Sequence, residues 1–405
     1  MRLFVYPIWA CALILGFLVA HSAPASATTA LNSPTQLIGG PNNPSDMFEY
    51  DGALYFNAEI TPGNSGFWKF DGSNFTVVSR DIVTISKSHV EFRGELYIAG
   101  YLSSGSPVTD TKLYKVTASG LSAPIAPMGF DEDELVVFND VLYFTGEHPN
   151  YTVQTFDGTN IGTALGFPCC LQRAVVSGNK LYFSGWHTPG SFDLYSYDGT
   201  SVTQHSTVSQ MPREIQVLNG SVYFIGIIDQ SISWDKAWIT PTATSVSTIN
   251  LPFQPENGVT VQFNNQILFN KQNSNELYGF NGSGVNLFSR NYSGFGLITA
   301  SPSYVFFEGL SPSLPSQLYY SNGVSESVIP NTNFSNGIAT MGTIGSRLYF
   351  FDYDNSQWWV FDPLASISEP QLAATGQHTS QLVLILGLIL AGTLLVVMRR
   401  RIIKL

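Results

Sequence analysis

Few residues in this chain have the type and spacing to do chemistry. Cys169 and Cys170 are adjacent and are the only cysteines after Cys11, which lies in an N-terminal apolar run. Two thiols cannot supply a four-cysteine zinc site or a disulfide framework. In an oxidising compartment they could close a vicinal disulfide; otherwise they stay as two thiols. His148 and His187 occupy equivalent places in neighbouring repeats, and Glu147 precedes the first. Two imidazoles and a carboxylate could hold a divalent cation, although surface histidines without a ligand are the plainer reading. The run Asp131-Glu132-Asp133-Glu134 reads as a solvated acidic turn. Trp186 and Trp234 lie in connections of variable length and could stack on a ligand. Trp238 and Trp359 recur at a fixed repeat position and read as core. No nucleophile elbow, phosphate loop or zinc-protease helix is present, and no motif calls for a cofactor. The sequence therefore predicts no catalytic residue.

The elements that must carry these residues repeat. Gly178-Asn179-Lys180-Leu181-Tyr182-Phe183 is a turn followed by an apolar-aromatic strand. Its relatives centre on Tyr55, Tyr97, Tyr143, Tyr182, Tyr223, Leu268, Phe306 and Tyr349, a period near 42 residues. Such a period with strand-like content predicts a propeller. A half-exposed strand alternates apolar and polar residues, whereas Leu-Tyr-Phe is apolar at consecutive positions, so both faces must be covered. A second anchor follows at Trp68, Tyr114, Gln154, Tyr195, Trp238, Tyr278, Tyr319 and Trp359. The span from first to second anchor varies from 10 to 17 residues, while the return span stays at 28 to 30. Variable length is thus confined to the connection between second and third strands, notably 101–112 and 227–236, where contact residues are expected. Asp51-Gly52, Asp71-Gly72, Asp157-Gly158, Asp198-Gly199, Asn219-Gly220, Asn281-Gly282 and Asn322-Gly323 read as tight hairpin turns. The fold expected is all-β: about eight four-stranded blades over 28–366, with a strand at 35–38 completing the last blade.

Composition fits this. Aromatic residues are 13%, charged residues only 12%, and glycine and proline are frequent. Five of the 18 basic residues are Arg2, Arg399, Arg400, Arg401 and Lys404, so the 29 acidic residues dominate the stretch between. A surface that acidic repels phosphate backbones, which argues against a nucleic-acid partner.

Both ends carry transport signals. Residues 1–27 hold a weak basic start, an apolar run and Ala25-Ser26-Ala27, the small-x-small pattern of signal peptidase. Cleavage is expected before Thr28. Residues 367–381 form a polar linker containing Leu372-Ala373-Ala374-Thr375-Gly376. Residues 382–398 are uncharged and, as a helix, roughly 25 Å long, at the short end for a membrane span. The tail 399–405 opens with Arg399-Arg400-Arg401, which places it in the cytoplasm and the repeats outside.

Two resemblances follow from these residues. Phe67-Trp68-Lys69-Phe70-Asp71-Gly72 resembles the bacterial ELWxxDGT-type repeat. Met211-Pro212-Arg213 leading into Asn219-Gly220-Ser221-Val222-Tyr223-Phe224-Ile225-Gly226 resembles kelch repeats. Both imply a propeller that binds partners. The tail resembles a Gram-positive sorting signal of the Leu-Ala-x-Thr-Gly type. That resemblance implies a sortase that attacks the Thr375 carbonyl, releases Gly376 with the span, and joins the chain to peptidoglycan. The functional expectation is an exported, surface-anchored module for non-catalytic binding or adhesion to a surface protein or glycan. The alternative is a single-pass type I membrane protein whose propeller acts as a surface carbohydrate-active enzyme. In a eukaryotic host the tail would be an ordinary single-pass anchor, and the sequons at Asn74, Asn150, Asn219, Asn281, Asn291 and Asn333 would matter as glycan sites.

Overall fold

The computed structural model describes residues 33–365, except 130–134, 148–150, 165, 189–190, 206–211, 228–235, 242–245, 250, 254, 256–259, 272–273, 293–295 and 312–313. The signal segment and the tail from Ser366 lie outside the described residues.

Each Leu-Tyr-Phe stretch is the second strand of an antiparallel sheet, and eight such sheets follow one another along the chain. Their first strands are Ser45–Tyr50, Ile82–Phe92, Val136–Phe138, Cys169–Ser177, Arg213–Leu218, Val261–Phe263, Ile298–Ala300 and Ile338–Ile344; we number the sheets 1 to 8 in that order. Within six of them the strands pair in chain order; in sheet 2 two short segments, Gly120–Leu121 and Ala126–Pro127, both pair with the third strand, and sheet 8 is completed from the other end of the chain. The stretch explains the stacking. Leu54 and Phe56 are fully buried against Tyr349, Phe351 and Trp358 of sheet 8, while Tyr55 packs the other way, with Leu96, Ile98 and Tyr114 of sheet 2. Consecutive apolar residues are needed because each sheet lies between two others.

The first strands of successive sheets touch in order, and that of sheet 8 touches that of sheet 1. Between sheets 5 and 6 the link includes a Gln262 to Gln216 hydrogen bond. Four-stranded sheets joined edge-inward in this way are a β-propeller. All eight belong to one compact unit, residues 33–364. Sheet 8 takes its fourth strand from the other end of the chain: Thr35 lies opposite Val360, Gln36 opposite Trp359, and Leu37 opposite Trp358. Trp358, only 2% exposed, pins this entry. Its Nε1 donates to the Pro41 carbonyl at 2.8 Å, and its ring lies 5.0 Å from that of Phe56. A Cβ on Gly40 would collide with the indole.

The Asp-Gly signals divide into two devices that look alike in sequence. Asp51-Gly52 and Asn219-Gly220 are two-residue hairpins between first and second strands, with both residues at positive φ. Asp71, Asp157, Asp198, Asn281 and Asn322 instead open longer loops between third and fourth strands. In each, the side-chain Oδ1 accepts the backbone N–H groups two and three residues on. Local side-chain acceptance of this kind explains why Asp and Asn alternate there freely.

Candidate functional site

The candidate site is built from irregularities at the starts of the first strands. Because strands alternate in direction, these starts share one end of the sheets with the variable connections between second and third strands. In sheets 1, 4, 5 and 8 the first strand gains an extra residue against the second: between Ser45 and Phe48, twice between Cys169 and Val175, between Arg213 and Gln216, and between Ile338 and Thr340. Sheet 2 gains several between Thr84 and His89. Such bulges re-aim side chains and leave backbone groups without a ladder partner.

Neighbouring sheets satisfy the groups so released. Asn57 follows the sheet 1 stretch; its Oδ1 accepts the Thr84 N–H at 2.7 Å and the Thr84 hydroxyl at 3.2 Å, and its Nδ2 donates to the Thr84 carbonyl. Thr145 stands at the same place in sheet 3, and its Oγ1 accepts the Leu171 N–H of sheet 4 at 2.9 Å. Both are buried. The polar residue after Leu-Tyr-Phe is legible in sequence, as Asn57, Thr145, Ser184, Asn270 and Glu308, but its partner is not.

Three bulges place a charged residue in the left-handed region: Asp46 at φ 53°, Arg173 at φ 51° and Glu214 at φ 49°. All three stand two residues before the position that pairs with the anchor tyrosine, at Phe48–Tyr55, Val175–Tyr182 and Gln216–Tyr223. Left-handed backbone costs a residue with a Cβ roughly 1 kcal/mol or more, and glycine is its usual occupant. Recurrent charged residues at such a point mark a candidate site. Asp46 accepts Asn57 Nδ2 at 3.0 Å. Arg173 and Glu214 form a part-buried ion pair at 3.8 Å. A polar row continues from it: Thr260 donates to Glu214 Oε2, Gln216 donates to Thr260, and Gln262 donates to Gln216, at 3.1, 3.0 and 2.8 Å. This row spans the inner strands of sheets 4 to 6 and offers amide, guanidinium and carboxylate groups side by side. Sequence reasoning missed it, because bulges carry no composition signal.

Cys169 and Cys170 begin the doubly bulged strand of sheet 4. Cys170 is fully buried at φ 70°, Cys169 is half-buried, and their sulfurs lie 2.6 Å apart without a disulfide. Cys169 pairs across the sheet with Trp186. Trp186 is half-buried, edge-on to Phe192 at 5.6 Å and tilted on Tyr151 at 6.3 Å. Trp234 and His148 lie outside the described residues, as does the His187 side chain; Glu147 is exposed. Among the described residues no group of three His, Cys, Asp or Glu could hold a metal ion. Nor is any helix among them long and apolar enough to cross a membrane. His89, stacked on Phe48 at 3.7 Å, is pushed down to about 4 by loss of solvation.

No family model matches the chain, and no curated protein matches it. Solved structures do. A computationally designed protein, Ika8, is 6% identical, with a TM-score of 0.55 over 82% of this chain and 100% of its own. Prolyl endopeptidases are 11% identical, with a TM-score of 0.52 over 78% of this chain and 55% of theirs. A puromycin-hydrolysing peptidase of Mycobacterium tuberculosis is 9% identical, with a TM-score of 0.50 over 76% of this chain and 57% of its own. The chain thus spans little more than half the length of these peptidases. The expectation of a non-catalytic adhesion module is corrected: its neighbours in fold include peptidases. What these likenesses show of the chain itself is its fold, a β-propeller.

Proposed function

We propose that the chain is an eight-bladed propeller that receives extended peptide at its bulged rim and presents it to a separate hydrolytic domain or protein. The observation that carries this reading is the likeness to prolyl endopeptidases, which accounts for 78% of this chain but only 55% of theirs. The matched part is little more than half of those enzymes. The rim adds chemical support. A row of Gln216, Gln262, Thr260, Arg173 and Glu214 offers the donors and acceptors that an extended backbone requires. Eight sheets whose first strands touch in a closed sequence support the blade number.

The same proposal includes export and tethering. Residues 1–27 direct secretion, 382–398 span the membrane, and Leu372–Gly376 is the substrate of a sortase that links the propeller to peptidoglycan. Mass spectrometry of the mature protein tests the tail: a C-terminus at Thr375 supports sorting, and an intact chain ending at Leu405 rules it out.

Peptide reception is tested by fluorescence polarisation of a labelled, unstructured, proline-containing peptide against the full chain. Saturable binding is expected, weakened about tenfold in Arg173→Met, or about 1.4 kcal/mol. Absence of saturable binding to the unmutated protein would overturn the reading.

A further inference from the structure

We propose that Cys169 and Cys170 are a reversible thiol–disulfide modification site, with Cys169 the attacking thiol, Cys170 the resolving thiol, and a low-molecular-weight disulfide as co-reactant. The two cysteines differ in access. Cys169 is half-buried and Cys170 fully buried, so a soluble oxidant meets Cys169 first. The Cys169 thiolate attacks one sulfur of the oxidant, expels one thiol and forms a mixed disulfide. The Cys170 thiolate then attacks the Cys169 sulfur and expels the second thiol. Two S–H bonds break and one protein S–S bond forms. The two electrons and two protons reduce the oxidant to two thiols.

The backbone is prepared for this. The strand gains a residue between Cys169 and Gln172, so the ladder between sheet 4's first two strands is out of step at Cys170 and Leu171. Their N–H groups are held by sheet 3 instead, through the Tyr151 carbonyl at 3.3 Å and Thr145 Oγ1 at 2.9 Å. Cys170 already has left-handed φ. Movement here does not break a regular ladder.

Adjacent cysteines also set the kind of disulfide. Their Cα atoms lie about 3.8 Å apart across a trans peptide, below the roughly 4.4–6.8 Å that unstrained disulfides span. The bond is therefore readily reduced, as regulatory disulfides are and structural ones are not. Its closure bears on the rim, because Arg173 sits in the next bulge of the same strand and pairs with Glu214. The site is independent of what the rim binds.

The test uses the full chain equilibrated with glutathione and glutathione disulfide at a series of ratios, then alkylated and read by peptide mass spectrometry. The unmutated protein should lose two hydrogens in the peptide containing Cys169 and Cys170, at a potential more oxidising than that of structural disulfides. Cys170→Ser should retain one glutathione on Cys169, and Cys169→Ser should retain none. In the oxidised protein, amide hydrogen exchange over 169–177 should slow. Alkylation of both cysteines in the most oxidising buffer overturns the proposal, as does a glutathione on Cys170 in Cys169→Ser with none on Cys169 in Cys170→Ser.

Discussion

The two ends of the sheets solve the same problem differently. At the turn end, neighbouring sheets are joined by short repeated contacts from one hairpin to the next. The Tyr50 hydroxyl donates to the Gly94 carbonyl, the Ser177 hydroxyl to Gly220, the Tyr223 hydroxyl to Gly282, and Asn264 Nδ2 to Asn322. Arg93 bridges Asp140 at 2.6 Å and the Asp157 carbonyl. Every acceptor there lies in a turn or loop, and the loop side chains satisfy their own backbone. At the rim end the strands bulge, and backbone groups from one sheet are satisfied by buried side chains of another. The turn end is therefore joined by exposed or part-buried contacts that accept at loop backbone. At the rim end buried side chains, Asn57 and Thr145, complete the backbone of the next sheet, and charged residues sit at strained bulges. A propeller that varies only its rim keeps its stacking while changing what it meets.

The largest test of this contrast is the rim-end seam. Trp358→Ala removes a fully packed indole and its hydrogen bond to Pro41, and should cost about 3–5 kcal/mol in denaturant unfolding. Val324→Ala at a turn, 95% exposed, should cost within about 0.5 kcal/mol. Comparable losses from the two would erase the distinction.

Acid titration separates the stacked interior from the turn end by pH. His89, part-buried at mid-strand opposite Ile98, has a folded pKa of about 4 against an ordinary 6.5. Below 6.5 the unfolded chain takes up a proton that the folded one resists, so stability is complete above 6.5 and falls towards pH 4, by at most about 3 kcal/mol. His89→Phe should flatten that window. At the turn end, backbone N–H groups hold the Asp71, Asp157 and Asp198 carboxyls below the usual carboxylate range. Their contribution is present above about pH 4 and is lost only as pH falls through their lowered values. A single transition abolished by His89→Phe would contradict two separate windows.

A smaller effect probes one stitch between sheets. Asn57→Leu leaves the buried Thr84 N–H without its partner and should cost about 1–3 kcal/mol. Asn322→Ala, which removes only a turn's local acceptor, should cost less under the same denaturant assay.

What was legible in the sequence was what neighbouring residues decide together. Leu54, Tyr55 and Phe56 had to be buried on both faces whatever lay beside them, so a stacked array of sheets followed from their order alone. The constant span of 28 to 30 residues marked the stacked part and the 10-to-17-residue span the exposed connection. Asp51-Gly52 and Asp71-Gly72 could be placed at their junctions, but both read as two-residue turns; that Asp71 opens a longer loop held by its own side chain depends on where Phe70 pairs with Phe75. The rim was illegible for a further reason. A bulge is one residue of slippage between paired strands, and Arg173 and Glu214 meet only because two separate bulges turn them towards each other. Local order decides which faces are apolar; pairing across 40 or more residues, such as Arg173 with Glu214, decides which polar groups share a site.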